Sequence, residues 1–208
     1  MKNLPDKTVE RLSQYRRSLN HQLAKGKTHI FSHEIANLLH ITPVQVRRDI
    51  MLIGYSGTLR KGYNIQDLVN LIGIILDTDT GEKIAVVGMG NLGKAFIHYM
   101  FEKRTKLNIV AAFDVNPEKV DKVYANVKCY HLDKLDEIVK AEGISMGIIT
   151  TPPEFARESA EKLRDAGVVG ILNFTPKPLL DEEGIYLEEY DMITSLEKVA
   201  YFVKNRNK

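Results

Sequence analysis

The sequence holds a single cysteine, Cys129, and no tryptophan in its 208 residues. One thiol cannot close an internal disulfide, and it rules out a dithiol switch or a cysteine-rich metal centre. Any redox role must therefore rest on something other than paired thiols, and Cys129 itself reads as a small buried residue. Nor is there an uncharged apolar run near the ~20 residues that a membrane span needs, or anything resembling a signal peptide, so the expected location is the cytoplasm. Metal-ligand patterns are also missing. His33-Glu34-Ile35-Ala36-Asn37 opens like a zinc-protease motif but has Asn37 where the second histidine is required, and His29 and His33 have no third ligand. Net charge is small at +2, yet unevenly placed. Residues 1–64 hold 11 Lys and Arg against 4 Asp and Glu, whereas residues 65–208 hold 18 against 23. A front part at +7 ahead of a rear part at −5 points to a polyanion partner for the front part alone.

The front part reads as helices. Leu12, Tyr15, Leu19 and Leu23 form one stripe of a helix expected from about Val9 to Lys25, with Gly26 as its stop. A short helix follows Ser32 as N-cap, with Ile35, Leu38 and Leu39 apolar and Glu34 in its first turn. The next start is strongly marked: Thr42 as N-cap, Pro43 at the first helical position and Gln45 placed to complete a capping box, with Ile41 and Val46 spaced as a hydrophobic staple. Val46, Ile50 and Ile53 then share one face, while Arg47 and Arg48 point to the flank and the far side. Two short helices, a tight turn and exposed arginines make a helix-turn-helix. Beyond it, "GYSGTLRKGYNI" is expected to form a small hairpin, the wing of a winged helix, with Arg60 and Lys61 near its tip. An apolar helix through Ile65, Leu68, Ile72 and Leu76 closes this domain, and the polar "DTDTGE" marks the boundary. The expected domains are 1–80, 81–190 and a terminal helix, 191–208.

From Lys83 onward, strands alternate with helices, which implies a doubly wound parallel sheet, a Rossmann architecture. Gly88, Gly90 and Gly93 form G-x-G-x-x-G between an apolar strand and a helix, with Met89, Asn91 and Leu92 between them. In such a turn the glycines permit the tight bend, close approach of a pyrophosphate, and helix-to-strand packing. Asp114 ends the next apolar strand 21 residues after Gly93, where a carboxylate accepts ribose hydroxyls and repels a 2′-phosphate. The expected ligand is NAD+ or NADH. A catalyst is missing: about 115 residues follow the turn and are consumed by the sheet and a tail helix, and no spacing singles out His98, Tyr99 or His131 as an acid or base. No catalytic residue is expected. Two rival readings are a small NAD-dependent oxidoreductase and a coenzyme A module, and Asp114 argues against the second.

In this order, "RLSQYRRSL", "TPVQVRRD", "GYN", "GMGNLGKAF", "AFDVNPEK", "GILNFTP" and a tail with Asp191 and Tyr201-Phe202 make the chain resemble the Rex family of redox-sensing transcriptional repressors across nearly its whole length. The resemblance implies a homodimer whose winged helices bind a palindromic operator, whose Rossmann domains bind NADH or NAD+, and whose C-terminal helix packs into the partner subunit. A high NADH/NAD+ ratio would release the DNA. Carried over by position, Gly88, Met89, Gly90, Asn91, Leu92 and Gly93 would hold the pyrophosphate and Asp114 the adenosine ribose. Thr150, Thr151 and Pro152 would line the cleft, and Asn173 and Phe174 would approach the nicotinamide. Thr42, Gln45, Arg47 and Arg48 would face DNA, with Arg60, Lys61 and Tyr63 of the wing. Arg11, Tyr99 and Asp191 look like the family's polar relay. The wing departs from the family pattern, since Gly57-Thr58-Leu59-Arg60-Lys61-Gly62 displaces the basic pair, and Met51 stands where serine is common.

Overall fold

The computed structural model describes residues 4–101, 106–179 and 184–206. Its contacts divide the chain into two units, Met1–Asp79 and Thr80–Lys208, with separate cores. No helix among the described residues is long and apolar enough to cross a membrane.

In the first unit, α1 (Asp6–Ala24) begins earlier than its apolar stripe requires, because the Pro5 carbonyl accepts from the Thr8 and Val9 N–H groups and Asp6 brings a carboxylate to the helix N-terminus. Leu12, Tyr15 and Leu19 are wholly buried. After the short strand β1 (His29–Ile30) comes α2 (Ser32–Leu39). Ser32 is its first helical residue and not its cap; the helix start is held by the Glu34 carboxylate, which accepts the Phe31 N–H at 2.9 Å. His40, in the left-handed region at φ 54°, turns the chain into α3 (Pro43–Leu52). Thr42 caps α3 by accepting the Gln45 N–H at 3.2 Å. The Gln45 amide does not return to close the capping box. It donates instead to Asp49 Oδ1 at 2.9 Å, one turn further along the helix.

The wing is tighter than a hairpin. Thr58 and Gly62 exchange two backbone hydrogen bonds of 2.8 Å, while the following strand β2 (Tyr63–Asn64) pairs with β1, Ile30 opposite Tyr63. The long cross-strand partner thus comes from ahead of α2, not from within the glycine-rich segment. Asn64 caps α4 (Ile65–Leu76) by accepting the Asp67 N–H, and Ile65, Leu68 and Ile72 complete the core.

The second unit is a sheet in the order β5-β6-β4-β3-β7-β8-β9, built from β3 (Glu82–Val87), β4 (Leu107–Asp114), β5 (Val123–Tyr124), β6 (Val127–His131), β7 (Met146–Ile149), β8 (Gly170–Asn173) and β9 (Tyr186–Glu189). Six of its strands run parallel, and β5 is antiparallel to β6 at one edge. Helices α5 (Asn91–Phe101), α6 (Leu135–Glu142) and α7 (Ala156–Asp165) make the crossovers, and α8 (Met192–Arg206) ends the chain. Sequence periodicity misses the β5–β6 hairpin, which turns on Ala125 and Asn126 at φ 45° and 68°, and the short β9. Cys129 lies fully buried in β6, where burial pushes its thiol up to about 11 and keeps it protonated.

One charged group sits in the first core. Asp49 of α3 is wholly buried and receives Arg11 through both carboxylate oxygens, Nε to Oδ2 at 2.6 Å and Nη2 to Oδ1 at 2.8 Å, together with the Tyr15 hydroxyl at 2.7 Å. Burial works to raise the Asp49 pKa, but the hydrogen bonds from Arg11, Tyr15 and Gln45 outweigh it and hold the carboxyl below its ordinary value. Because the folded-state pKa lies below that of the unfolded chain, the stabilisation is complete above the unfolded value near ~4 and is lost as pH falls through the folded one. Arg11→Ala should cost about 3 kcal/mol, since it leaves the buried Asp49 carboxylate unmatched, and Asp49→Ala less, since the Arg11 side chain it strands is partly exposed. Denaturant titration followed by circular dichroism checks this; the double variant should cost less than the sum of the single ones.

Candidate functional site

The carboxyl ends of the central strands converge on the glycine turn. Val87 pairs in register with Phe113 on one side and with Ile149 on the other, which brings Gly88, Asp114 and Thr150 together just beyond the sheet. Such a crevice is where open parallel sheets bind ligands. The Gly88 N–H donates to the Phe113 carbonyl at 2.8 Å, and its own carbonyl accepts the Thr150 hydroxyl at 2.7 Å. Gly88 has φ 99°, and a Cβ there would lie 2.7 Å from the Thr151 nitrogen. At Gly93 a Cβ would be driven into the Gly88 carbonyl. Gly90 has nothing within 4 Å of a would-be Cβ, so its backbone faces open space. Two glycines are thus fixed by packing and one by clearance, the division of labour a pyrophosphate turn needs.

A cleft of about 470 Å³ opens beside this turn. Gly88, Gly90, Asp114, Thr150, Thr151 and Pro152 all line it. The Thr151 hydroxyl is buried and has no hydrogen-bond partner among the described residues. A buried orphan oxygen costs about 1–3 kcal/mol unless something satisfies it, and its position in the cleft fits a polar ligand group. Met89, Asn91, Leu92 and Gly93 form the turn and the first residues of α5 without lining the cleft with Gly90; Met89 is buried and donates its N–H to Asp114 Oδ2 at 2.7 Å.

Asp114 is 8% exposed. Burial works to raise its pKa, but the N–H of Asn116, the Lys119 ammonium and the N–H of Met89 overcome that and hold the carboxyl below its ordinary value. Sequence reasoning missed Lys119, whose Nζ lies 2.9 Å from Asp114 Oδ2. It also missed the apolar walls Val115, Leu132 and Phe155, which suit a flat aromatic base. Only the position of Val115, next to Asp114, marked any of the three in advance.

The nicotinamide-end expectations fare differently. Asn173 is wholly buried and does not line the cleft. Its amide is saturated by its own loop: Nδ2 donates to the Lys177 carbonyl and Glu189, while Oδ1 accepts the Thr175 N–H and hydroxyl. It shapes the "NFTPK" turn and has no hydrogen-bonding capacity left for a ligand. Phe174 packs between Phe96 and Tyr190, with ring centroids 5.6 Å away on each side.

In the first unit, Arg47, Arg48, Arg60 and Lys61 are all exposed. Arg47 Nη1 donates to Ser32 Oγ at 3.1 Å, tying α3 to the start of α2. Thr42 is exposed beside its cap, whereas Gln45 is half-buried against Asp49. Tyr63 corrects the expectation of a DNA-facing wing residue: it is 9% exposed and belongs to the core, its ring against that of Tyr55 at 6.2 Å. Of the expected relay, Arg11 is held by Asp49 within its own unit, and Tyr99 lies exposed on α5. Asp191 caps α8, accepting the Ile193 N–H at 2.8 Å and the Thr194 hydroxyl at 2.7 Å.

Thr151→Val removes the orphan hydroxyl without changing shape. The variant should melt at the same temperature as the parent or higher, yet bind NADH about three- to tenfold more weakly, the worth of one ligand hydrogen bond. NADH fluorescence on binding reads the affinity, and equal affinity in variant and parent would remove the hydroxyl from the ligand's contacts.

Residues 3–50 match the family model "Putative DNA-binding protein N-terminus", and residues 79–177 match "CoA binding domain". The redox-sensing transcriptional repressor Rex of Listeria welshimeri is 35% identical over 97% of this chain and 94% of its own, and that of Anoxybacillus flavithermus 37% over 97% and 95%. Among solved structures, RSP, a Rex-family repressor, in complex with β-NAD+ and operator DNA superposes with a TM-score of 0.90 at 27% identity, covering 100% of this chain and 95% of that one. Its complex with β-NADH gives 0.88 at 26% identity over 100% and 97%. With both folds in one order, and relatives of this identity matched from end to end, the chain belongs to the Rex family of redox-sensing transcriptional repressors.

Proposed function

We propose that this protein is a cytoplasmic, homodimeric repressor that binds a palindromic operator and is released from it by NADH, with NAD+ and NADH as allosteric ligands and not substrates. The observation that carries the reading is end-to-end similarity to a repressor solved with β-NAD+ and operator DNA together. A domain with only one of the two surfaces would not match over its full length. The dimer is supported by α8, which carries Ile193, Leu196, Val199, Phe202 and Val203 all more than half exposed, an apolar face that needs a cover. In the Rossmann unit, the glycine turn and Thr151 hold the phosphates and Asp114 receives the adenosine ribose. In the winged helix, Arg47 and Arg48 meet the operator, with Arg60 and Lys61 adding phosphate contacts from the wing. Arg11, Tyr99 and Asp191 carry the signal; because Arg11 anchors the recognition helix through Asp49, any partner that draws its guanidinium away alters that anchor.

NAD+ and NADH differ by a charge on the nicotinamide ring, and a largely apolar pocket favours the neutral form. For the ratio to control DNA binding, NADH must also prefer the released conformation, at about 1.4 kcal/mol for each tenfold shift. By linkage, operator DNA weakens NADH binding by the same factor.

Fluorescence anisotropy of a labelled palindrome, selected from random DNA by this protein, tests the reading. NADH should release the DNA at concentrations where NAD+ does little, and specific binding indifferent to both would sink it. Arg47→Ala and Arg48→Ala should weaken operator binding, each lowering the magnitude of the salt slope by about 1 where a phosphate contact is lost. Asp114→Ala should weaken NADH and relax discrimination against NADPH while leaving DNA binding without cofactor intact. The coenzyme A name of the matched family model makes competition between NADH and coenzyme A a direct part of the same titration.

A further inference from the structure

The ribose carboxylate is already largely occupied. Asp114 Oδ2 accepts both the Met89 N–H at 2.7 Å and Lys119 Nζ at 2.9 Å, and Oδ1 accepts the Asn116 N–H at 2.9 Å. A carboxylate offers about four acceptor positions, so one remains, on Oδ1. In this arrangement Asp114 can receive a single ribose hydroxyl. Accepting both would require Lys119 to leave.

Charge leads to the same place. Asp114 and Lys119 both line the cleft, and together they are formally neutral. An isolated aspartate rejects a ribose phosphate by like-charge repulsion; an aspartate carrying an ammonium at ion-pair distance repels it far less. Lys119 has two further N–H donors, and its side chain is 28% exposed, so it can turn toward an anion that enters the cleft. The geometry points to Lys119 as a specificity-determining residue: it tempers Asp114, so that the cleft discriminates less sharply against a phosphomonoester on the adenosine ribose than Asp114 alone would. The 2′-phosphate of NADPH and the 3′-phosphate of coenzyme A share this chemistry. The inference rests on the adenosine end of a dinucleotide occupying this cleft, as proposed above.

Lys119→Gln keeps most of the reach and removes the charge, and Lys119→Arg restores it. The full chain is titrated with NADH and NADPH, and separately with 5′-AMP and adenosine 2′,5′-bisphosphate, which probe the ribose end without a nicotinamide. In Lys119→Gln the ratio of the NADPH to the NADH dissociation constant should rise about tenfold over the parent, the effect of one partly solvated charge, and Lys119→Arg should return it. The bisphosphate-to-AMP ratio should move in parallel. Coenzyme A against its 3′-dephospho form shows whether the tolerance extends to the 3′ position or is confined to the 2′. An unchanged ratio in Lys119→Gln overturns the inference, as does failure of both AMP compounds to bind the parent. If the AMP compounds bind with the expected shift while NADH does not bind, the redox reading fails and the role of Lys119 stands.

Discussion

Gly88 is the knot on which the second domain's site depends. Through this one residue the end of β3 is laced to β4 by its N–H and to β7 by its carbonyl, which the Thr150 hydroxyl holds at 2.7 Å. The Thr150 N–H adds a bond to the Val87 carbonyl, and Met89 continues the lacing by donating to Asp114. With φ at 99° and the Thr151 backbone pressed against it, the position admits only glycine. The floor of the cleft is thus part of the sheet's hydrogen bonding, not a loose loop above it. A ligand arriving there meets donors and clearances already in place, which limits the ordering cost of binding.

The first domain solves a different problem with a charge. "RRD" in α3 sends two cations outward and one carboxylate inward, because successive helical residues are ~100° apart. Arg47 and Arg48 stay exposed, while Asp49 is buried and matched by Arg11 of α1. Apolar contacts alone would allow α3 to shift against α1 with little penalty. A buried carboxylate held bidentately allows much less, since a small displacement leaves charge unmatched. The angle at which the recognition helix is presented is therefore tied to an arginine near the start of the chain.

Much of this was legible in the sequence. The glycine turn, Asp114 at the end of the next strand and the Thr42 cap all depend on local spacing, and the apolar stripes of α1, α3 and α4 fall on buried faces. What stayed hidden depends on pairs far apart in the chain. Arg11 and Asp49 are 38 residues apart, and neither residue alone signals the other. Tyr63 looks like a wing residue until β2 pairs with β1 and carries it into the core. Asn173 stands in a motif that resembles a ligand loop, yet Lys177 and Glu189 fold back to consume its amide. Lys119 is the instructive omission: no local spacing rule ties it to Asp114, yet the turn through Asn116 returns it from five residues away to the same carboxylate.

The two redox forms of the cofactor have the same adenosine half. On the proposed reading, whatever Asp114, Lys119 and Thr151 offer is therefore available equally to both, and a group that binds both equally shifts no equilibrium however tightly it holds them. That end of the cleft supplies affinity, and the response has to originate where the forms differ. Phe174 was expected near the nicotinamide, and its ring abuts that of Tyr190, the residue before Asp191, which caps α8. A single residue, Asp191, thus separates this aromatic contact from the first residue of α8, Met192. The two rings meet edge to face at 64°, and close packing there ties the position of the Phe174 ring to the backbone that leads into the α8 cap.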